Sequence, residues 1–170
     1  MINLKNKLFF ITGATGHLGS SICEGLAKNS ANLVICSTSK LKAKELSDYL
    51  NRSYKIKSMP YELDISSVID VKKTIKEVLN DFGKVDCLVN NAFYTGECDF
   101  NNFSASNFNK GMEGTINQVI STTNLLIPEL EKTEGCVINI ASMYGMVSPD
   151  PGIYKNRKIS YLDYGIGKSA

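Results

Sequence analysis

A phenol and an ammonium stand four residues apart in Tyr164-Gly165-Ile166-Gly167-Lys168, a separation that on a helix brings both side chains to one face. A phenol with an ordinary pKa of about 10 is a poor acid–base group at neutral pH, and a neighbouring ammonium favours the phenolate and lowers that value. Such a pair can exchange a proton with an alcohol or carbonyl oxygen, although Tyr and Lys also meet at this spacing by chance. A second pattern follows the first apolar run: Thr12-Gly13-Ala14-Thr15-Gly16-His17-Leu18-Gly19. Glycines between a strand and a helix let backbone N–H groups approach a pyrophosphate, whose charge the helix N-terminus then stabilises. Gly13, Thr15, Gly16, His17, Leu18 and Gly19 are therefore candidate cofactor-binding residues, with a purely structural turn as the alternative. His17 is the sole histidine. Its position in this turn argues against a Ser-His-Asp hydrolase, and we assign it no chemistry beyond nearness to phosphates.

Positioning these groups requires a particular order of elements, and the hydrophobic pattern supplies it. Short apolar runs at residues 8–12, 33–36, 56–60, 85–90 and 137–141 alternate with amphipathic stretches from Leu18, from Leu41, over residues 67–82 and up to about Leu130. The runs are apolar on both faces, as in parallel strands covered by helices on either side. A doubly wound α/β/α sheet is the predicted architecture. The helix after Ser67 is the clearest: Ser67 with Asp70 is a capping signal, Val68, Val71, Ile75, Val78, Leu79 and Phe82 form one stripe, and Lys72, Lys73, Lys76 and Glu77 face solvent.

Three segments carry a resemblance to a family. The glycine turn, the stretch from Phe82 through Asn90-Asn91-Ala92, and Val137-Ile138-Asn139-Ile140-Ala141-Ser142 followed by the Tyr164/Lys168 pair together resemble the short-chain dehydrogenases/reductases, classical-like and C-terminally incomplete. The resemblance implies a Rossmann-type sheet and an NAD(P)-dependent oxidoreductase that moves a hydride between nicotinamide and a carbonyl or alcohol carbon. It further implies that Ser142 hydrogen-bonds the substrate oxygen, Tyr164 exchanges the proton, and Lys168 holds the nicotinamide ribose and tunes Tyr164. Asp64 and the N–H of Ile65 would hold adenine, a helix-capping Asp being the alternative. Asn90 and Ala92 would lie beside the cofactor.

Several positions depart from the family pattern. His17 stands where the classical branch has its middle glycine, a spacing closer to the extended branch, and Phe93 replaces the glycine after Ala92. The family's helix asparagine falls, by counting back from Pro128, on Thr115. Asn117 is the candidate by residue type, although a two-residue shift turns a helical side chain by roughly 200°. Where NAD enzymes present a ribose-reading carboxylate, this chain has Ser37, Thr38, Ser39 and Lys40, three hydroxyls and an ammonium compatible with a 2'-phosphate. NADP(H) is preferred over NAD(H) on that basis, a plain capping turn being the other possibility. The long segment between Ser142 and Tyr164 resembles members associated with sugar and surface-polysaccharide metabolism, so such a precursor is the expected small-molecule substrate.

Composition sets the outer bounds. The length of 170 residues suits one domain, and hydrophobic and charged fractions of 43% and 21% are those of a folding globular chain. A net charge of +2 with scattered lysines gives no nucleic-acid footprint, and no N-terminal signal or membrane span is visible; a cytoplasmic protein is expected. The five cysteines, odd in number and without CxxC spacing, read as buried reduced thiols, and no metal site is expected. The family commonly forms dimers or tetramers, so self-association is implied. Because the chain stops just after Lys168, we expect a single NAD(P)-binding domain missing its last strands and inactive alone. An extended-type nucleotide-sugar epimerase or dehydratase, and a non-catalytic nucleotide- or partner-binding remnant, are the rival readings.

Overall fold

The computed structural model describes residues 3–98, 103–153 and 162–170. Each apolar run becomes a strand and each amphipathic stretch a helix: β1 (Leu8–Ile11), α1 (His17–Lys28), β2 (Asn32–Ser37), α2 (Lys40–Tyr54), β3 (Ser58–Glu62), α3 (Val68–Phe82) and β4 (Cys87–Asn90). There follow α4 (Ala105–Met112), a π-helical turn (Glu113–Asn117), α5 (Gln118–Thr133), β5 (Cys136–Asn139) and α6 (Leu162–Ser169). The chain divides into two compact units. One runs to Ala92 and takes in Ser121–Asn139; the other comprises Phe93–Ile120 and Ile140–Ala170.

The first unit holds a parallel five-stranded sheet in the order β3-β2-β1-β4-β5, so successive strands wind outward in opposite directions from β1. In such sheets the point of reversal, here between the C-terminal ends of β1 and β4, opens a crevice for ligands. Phe10, Val34 and Leu88 from the central strands pack with Val71, Ile75 and Val78 of α3 and with Leu126 and Leu130 of α5. The capping signal at Ser67 is realised: its side chain accepts from Asp70 N, and Gly83 ends the helix at a φ of 76°.

Two strands depart from the hydrophobic pattern. β3 begins at Ser58 instead of Ile56, because Lys55 leaves α2 in the left-handed region and the ladder to β2 starts at the Leu33/Ser58 pair. Pro60 is tolerated because β3 is an edge strand. β5 lies at the opposite edge and is exposed along its length. Cys136 is consequently exposed while the other four cysteines are buried, which corrects the expectation of five sheltered thiols.

One residue, Asp86, ties the lower ends of three strands. Asp86 Oδ2 accepts from Leu8 N at 2.8 Å and pairs with Lys84 at 2.8 Å, and Oδ1 pairs with Lys7 at 3.2 Å. Its backbone N–H donates to Leu8 O and its carbonyl accepts from Cys136 N. Burial pushes the Asp86 carboxyl up, but the hydrogen bonds from Lys84, Leu8 N and Lys7 outweigh it and hold the group below its ordinary value. A carboxylate depressed in the folded state stabilises above its unfolded pKa of about 4, and that contribution is lost as pH falls through the lower folded value. Asp86→Asn should therefore cost about 1–3 kcal/mol near neutral pH, and its deficit against the parent should shrink as pH drops below about 4; urea unfolding across pH measures both.

Candidate active site

The turn between β1 and α1 has the shape required to face an anion. Gly13 has a φ of 62°, and a Cβ built on it would lie 2.9 Å from Ala92 Cα. A Cβ on Gly19 would collide with Gly13 O. These two glycines let the turn lie flat on the end of β4, Gly13 through a backbone that other residues rarely adopt and Gly19 through the space its missing Cβ leaves. Gly16 is the N-cap of α1 and supplies no side-chain cap, and the first turn contains no acidic residue. The N–H groups of His17, Leu18 and Gly19 accordingly lack intrahelical acceptors, leaving the positive end of the helix for an outside anion. Gly16, His17 and Leu18 are exposed, as phosphate contact requires.

Thr12 and Asn91 fasten this turn to β4. The Thr12 hydroxyl accepts from Asn91 N at 3.1 Å and from Ala92 N at 3.0 Å, while donating to Val89 O at 3.3 Å. The Asn91 amide returns bonds of 3.0 Å to Thr12 O and Gly13 O. Asn90 points to the other neighbour, its amide donating to Asn139 Oδ1 at 2.9 Å and to Thr123 Oγ1 at 3.1 Å. The buried Asn90 Oδ1 has no hydrogen-bond partner among the described residues.

Beyond β2 the candidate ribose-reading residues separate into two kinds. Ser37 is buried, and its hydroxyl meets Thr15 Oγ1 at 2.7 Å and accepts from Ser39 N at 3.1 Å, so it braces the turn. Thr38 and Lys40 are exposed, while Ser39 caps α2. Asp64 is exposed and bonds its own turn, accepting from Ser66 N and Ser66 Oγ, and Ile65 packs against the core.

The second unit gathers the proton-handling candidates. Tyr164 and Lys168 lie one turn apart on α6, with Lys168 Nζ 5.9 Å from the Tyr164 ring centroid. Phe93 joins them: its ring centroid lies 5.1 Å from that of Tyr164 and 5.3 Å from Lys168 Nζ. Lys168 donates to Ile140 O at 2.7 Å, and burial pushes its ammonium below the ordinary value. Ser142 caps the short 3-10 turn Met143–Gly145, accepting from Tyr144 N at 3.2 Å, and Gly145 packs on the Lys168 carbonyl.

Asn117 does not reach this group. It is exposed, and its amide donates to Glu113 Oε1 at 2.8 Å. Thr115 is the residue that meets α6, packed on Gly167 so closely that no Cβ fits there, with its hydroxyl donating to Gly111 O at 2.6 Å. The opposite placement of two residues so near in sequence follows from the helical rotation between them.

The chain is similar to known proteins. Residues 7–155 match the model of the short chain dehydrogenase family. The chain belongs to this family. Among its curated relatives, the 3-oxoacyl-(acyl-carrier-protein) reductase FabG of Aquifex aeolicus is 28% identical over 145 residues, 85% of this chain and 58% of the relative. L-fucose dehydrogenase of Bos taurus is 26% identical over 148 residues, covering 86% and 53%. This short chain dehydrogenase thus spans little more than half the length of those relatives. The fold is shared with solved structures: an NAD+-bound xylitol dehydrogenase matches 98% of this chain and 61% of its own, with a TM-score of 0.85 at 22% identity. A 7α-hydroxysteroid dehydrogenase complexed with NADH matches 98% and 62%, with a TM-score of 0.84 at 24% identity.

Two residues that position these groups were not singled out from the sequence. Thr12 could have been found, because a hydroxyl at the end of β1 flanks the switch point. Asp163 could not: it is wholly buried, and its Oδ2 accepts from Gly96 N at 2.7 Å beside Gly111, contacts between segments far apart in sequence. Thr12→Val keeps the shape but removes the hydroxyl acceptor of the Asn91 and Ala92 N–H groups, and should cost about 2 kcal/mol in urea unfolding. Thr12→Ser should recover most of that loss.

Proposed function

We propose that this chain forms the dinucleotide-binding and proton-exchanging part of an oxidoreductase that interconverts an alcohol and a carbonyl compound using NAD(P). The observation that carries the reading is the glycine turn at the switch point, flattened on β4 and opening into a helix whose first N–H groups have no side-chain cap. A dinucleotide fits this donor set, and when bound it would supply the hydride chemistry. Gly13, Thr15, Gly16, His17, Leu18 and Gly19 would hold the pyrophosphate. Asp64 and Ile65 would border the adenine, and Asn90 and Ala92 the nicotinamide side.

The chain's own chemistry is proton handling. Tyr164 exchanges a proton with the substrate oxygen, Ser142 donates its hydroxyl hydrogen to that oxygen, and Lys168 would hold the nicotinamide ribose. Lys168 suits that role because its ammonium is half-buried beside the Tyr164 ring. Thr115, packed on Gly167 of α6, takes the place of Asn117 in this reading. The exposed Thr38 and Lys40, with no carboxylate between Ser37 and Lys40, support NADP(H) over NAD(H). The substrate in this reading is a sugar or surface-polysaccharide precursor, handled in the cytoplasm by a self-associating protein.

One observation favours a second reading, a nucleotide-binding protein without turnover. Phe93 lies against both Tyr164 and Lys168, and Lys168 is bound to a backbone carbonyl. Fluorescence titration with NADPH and NADH, followed by turnover assays on sugar alcohols and keto-sugars, separates the two. We expect NADPH to bind about tenfold more tightly than NADH, and Lys40→Glu to abolish that difference, since it places a like charge beside the 2'-phosphate. Tyr164→Phe should bind cofactor unchanged and lose about 10²–10⁴-fold in kcat. Binding of neither cofactor overturns the proposal, and binding without turnover establishes the second reading.

A further inference from the structure

Cys87 and Cys136 open β4 and β5 and stand directly opposite each other in the parallel ladder. Registered neighbours in adjacent strands project to the same side of a sheet, and the two sulfurs approach to 3.4 Å, with the Cys136 thiol donating to Cys87 Sγ. Their environments differ. Cys136 is exposed on the edge strand, whereas Cys87 is buried and its thiol is pushed well up, first by burial and then by the Cys136 contact.

We propose that Cys87 and Cys136 form an oxidisable dithiol site, in which a peroxide attacks through the exposed sulfur and the buried one closes a reversible disulfide between β4 and β5. In the first step the Cys136 sulfur attacks the peroxide, the O–O bond breaks, and one oxygen stays on sulfur as sulfenic acid while the other leaves as water or an alcohol. In the second step the Cys87 sulfur attacks the sulfenic sulfur, the S–O bond breaks, and the hydroxyl leaves with the Cys87 proton as water. Two thiols lose two electrons and two protons, and the peroxide gains them.

The geometry suits the second step. A disulfide needs an S–S separation of about 2.05 Å and Cα atoms about 4.4–6.8 Å apart. Neighbouring strands lie about 4.8 Å apart, inside that window but toward its short end. The bond should form with small side-chain rotation. Cys23, Cys36 and Cys98 are all buried, so none of them offers the exposed sulfur that the first step uses.

The test uses the full chain, reduced, freed of reductant, treated with excess hydrogen peroxide, alkylated, digested and mapped by mass spectrometry without reduction. The expected result is a single intramolecular cross-link between the Cys87 and Cys136 peptides, two hydrogens lighter than the reduced pair and reversed by dithiothreitol. The denatured thiol count should fall from the five free cysteines to three. Cys87→Ser should instead accumulate Cys136 sulfenic acid, trapped by dimedone, and Cys136→Ser should leave Cys87 alkylatable after peroxide. Should the buried substitution prevent folding, the mapping of the unaltered chain decides alone. The proposal is overturned if Cys136 proceeds to sulfinic acid or to an intermolecular dimer while Cys87 stays alkylatable, or if both thiols survive peroxide.

Discussion

The cradle at the head of the sheet depends on one hydroxyl. Thr12 Oγ1 holds the two N–H groups that follow β4 and passes its own hydrogen back to Val89 O. Unmet N–H groups at that depth are costly, so the hydroxyl fixes where the chain leaves β4 and thereby how closely Ala92 approaches Gly13. The close approach then demands glycine at position 13, and the packing of Gly19 on Gly13 O sets the angle at which α1 departs. The direction in which the N-terminus of α1 points is thus a consequence of strand-end hydrogen bonding.

A comparable logic holds in the second unit. The short α6 cannot be stable by itself, and its seat is made by packing: Gly167 on Thr115, the Asp163 carboxylate on Gly111 with a bond from Gly96 N, and Leu162 N to Cys98 O. Tyr164 lies between two of these fastenings. Its orientation therefore depends on residues that share no obvious chemistry with it.

The sequence made legible whatever depends on periodicity or local chemistry. Alternating apolar runs and amphipathic stretches announced the parallel sheet, and the glycine turn was recognisable because strand, glycines and helix must follow one another in that order. Harder to read was anything set by cross-chain pairing. The start of β3 is decided by its ladder with Leu33, not by the apolarity of Ile56. The Ser37 hydroxyl looked free for a phosphate, yet Thr15, far away in sequence, engages it. Asn117 had the right side chain, but helical rotation turned it outward and left Thr115 facing α6. Residue type identifies chemistry only after the backbone has decided which way the residue points.

Asp86 has an implication for how the sheet opens. A single side chain and its own peptide group engage the amide of Leu8 in β1, the carbonyl of Leu8, and the amide of Cys136 in β5, while two lysines close over it. Fraying of β1, β4 and β5 at this end is therefore coupled, since none can peel away without uncovering a charged group sheltered by the others. Local openings of a protein tend to occur in such joined units. Slow solvent exchange at the Leu8 and Cys136 amides would then report one shared event.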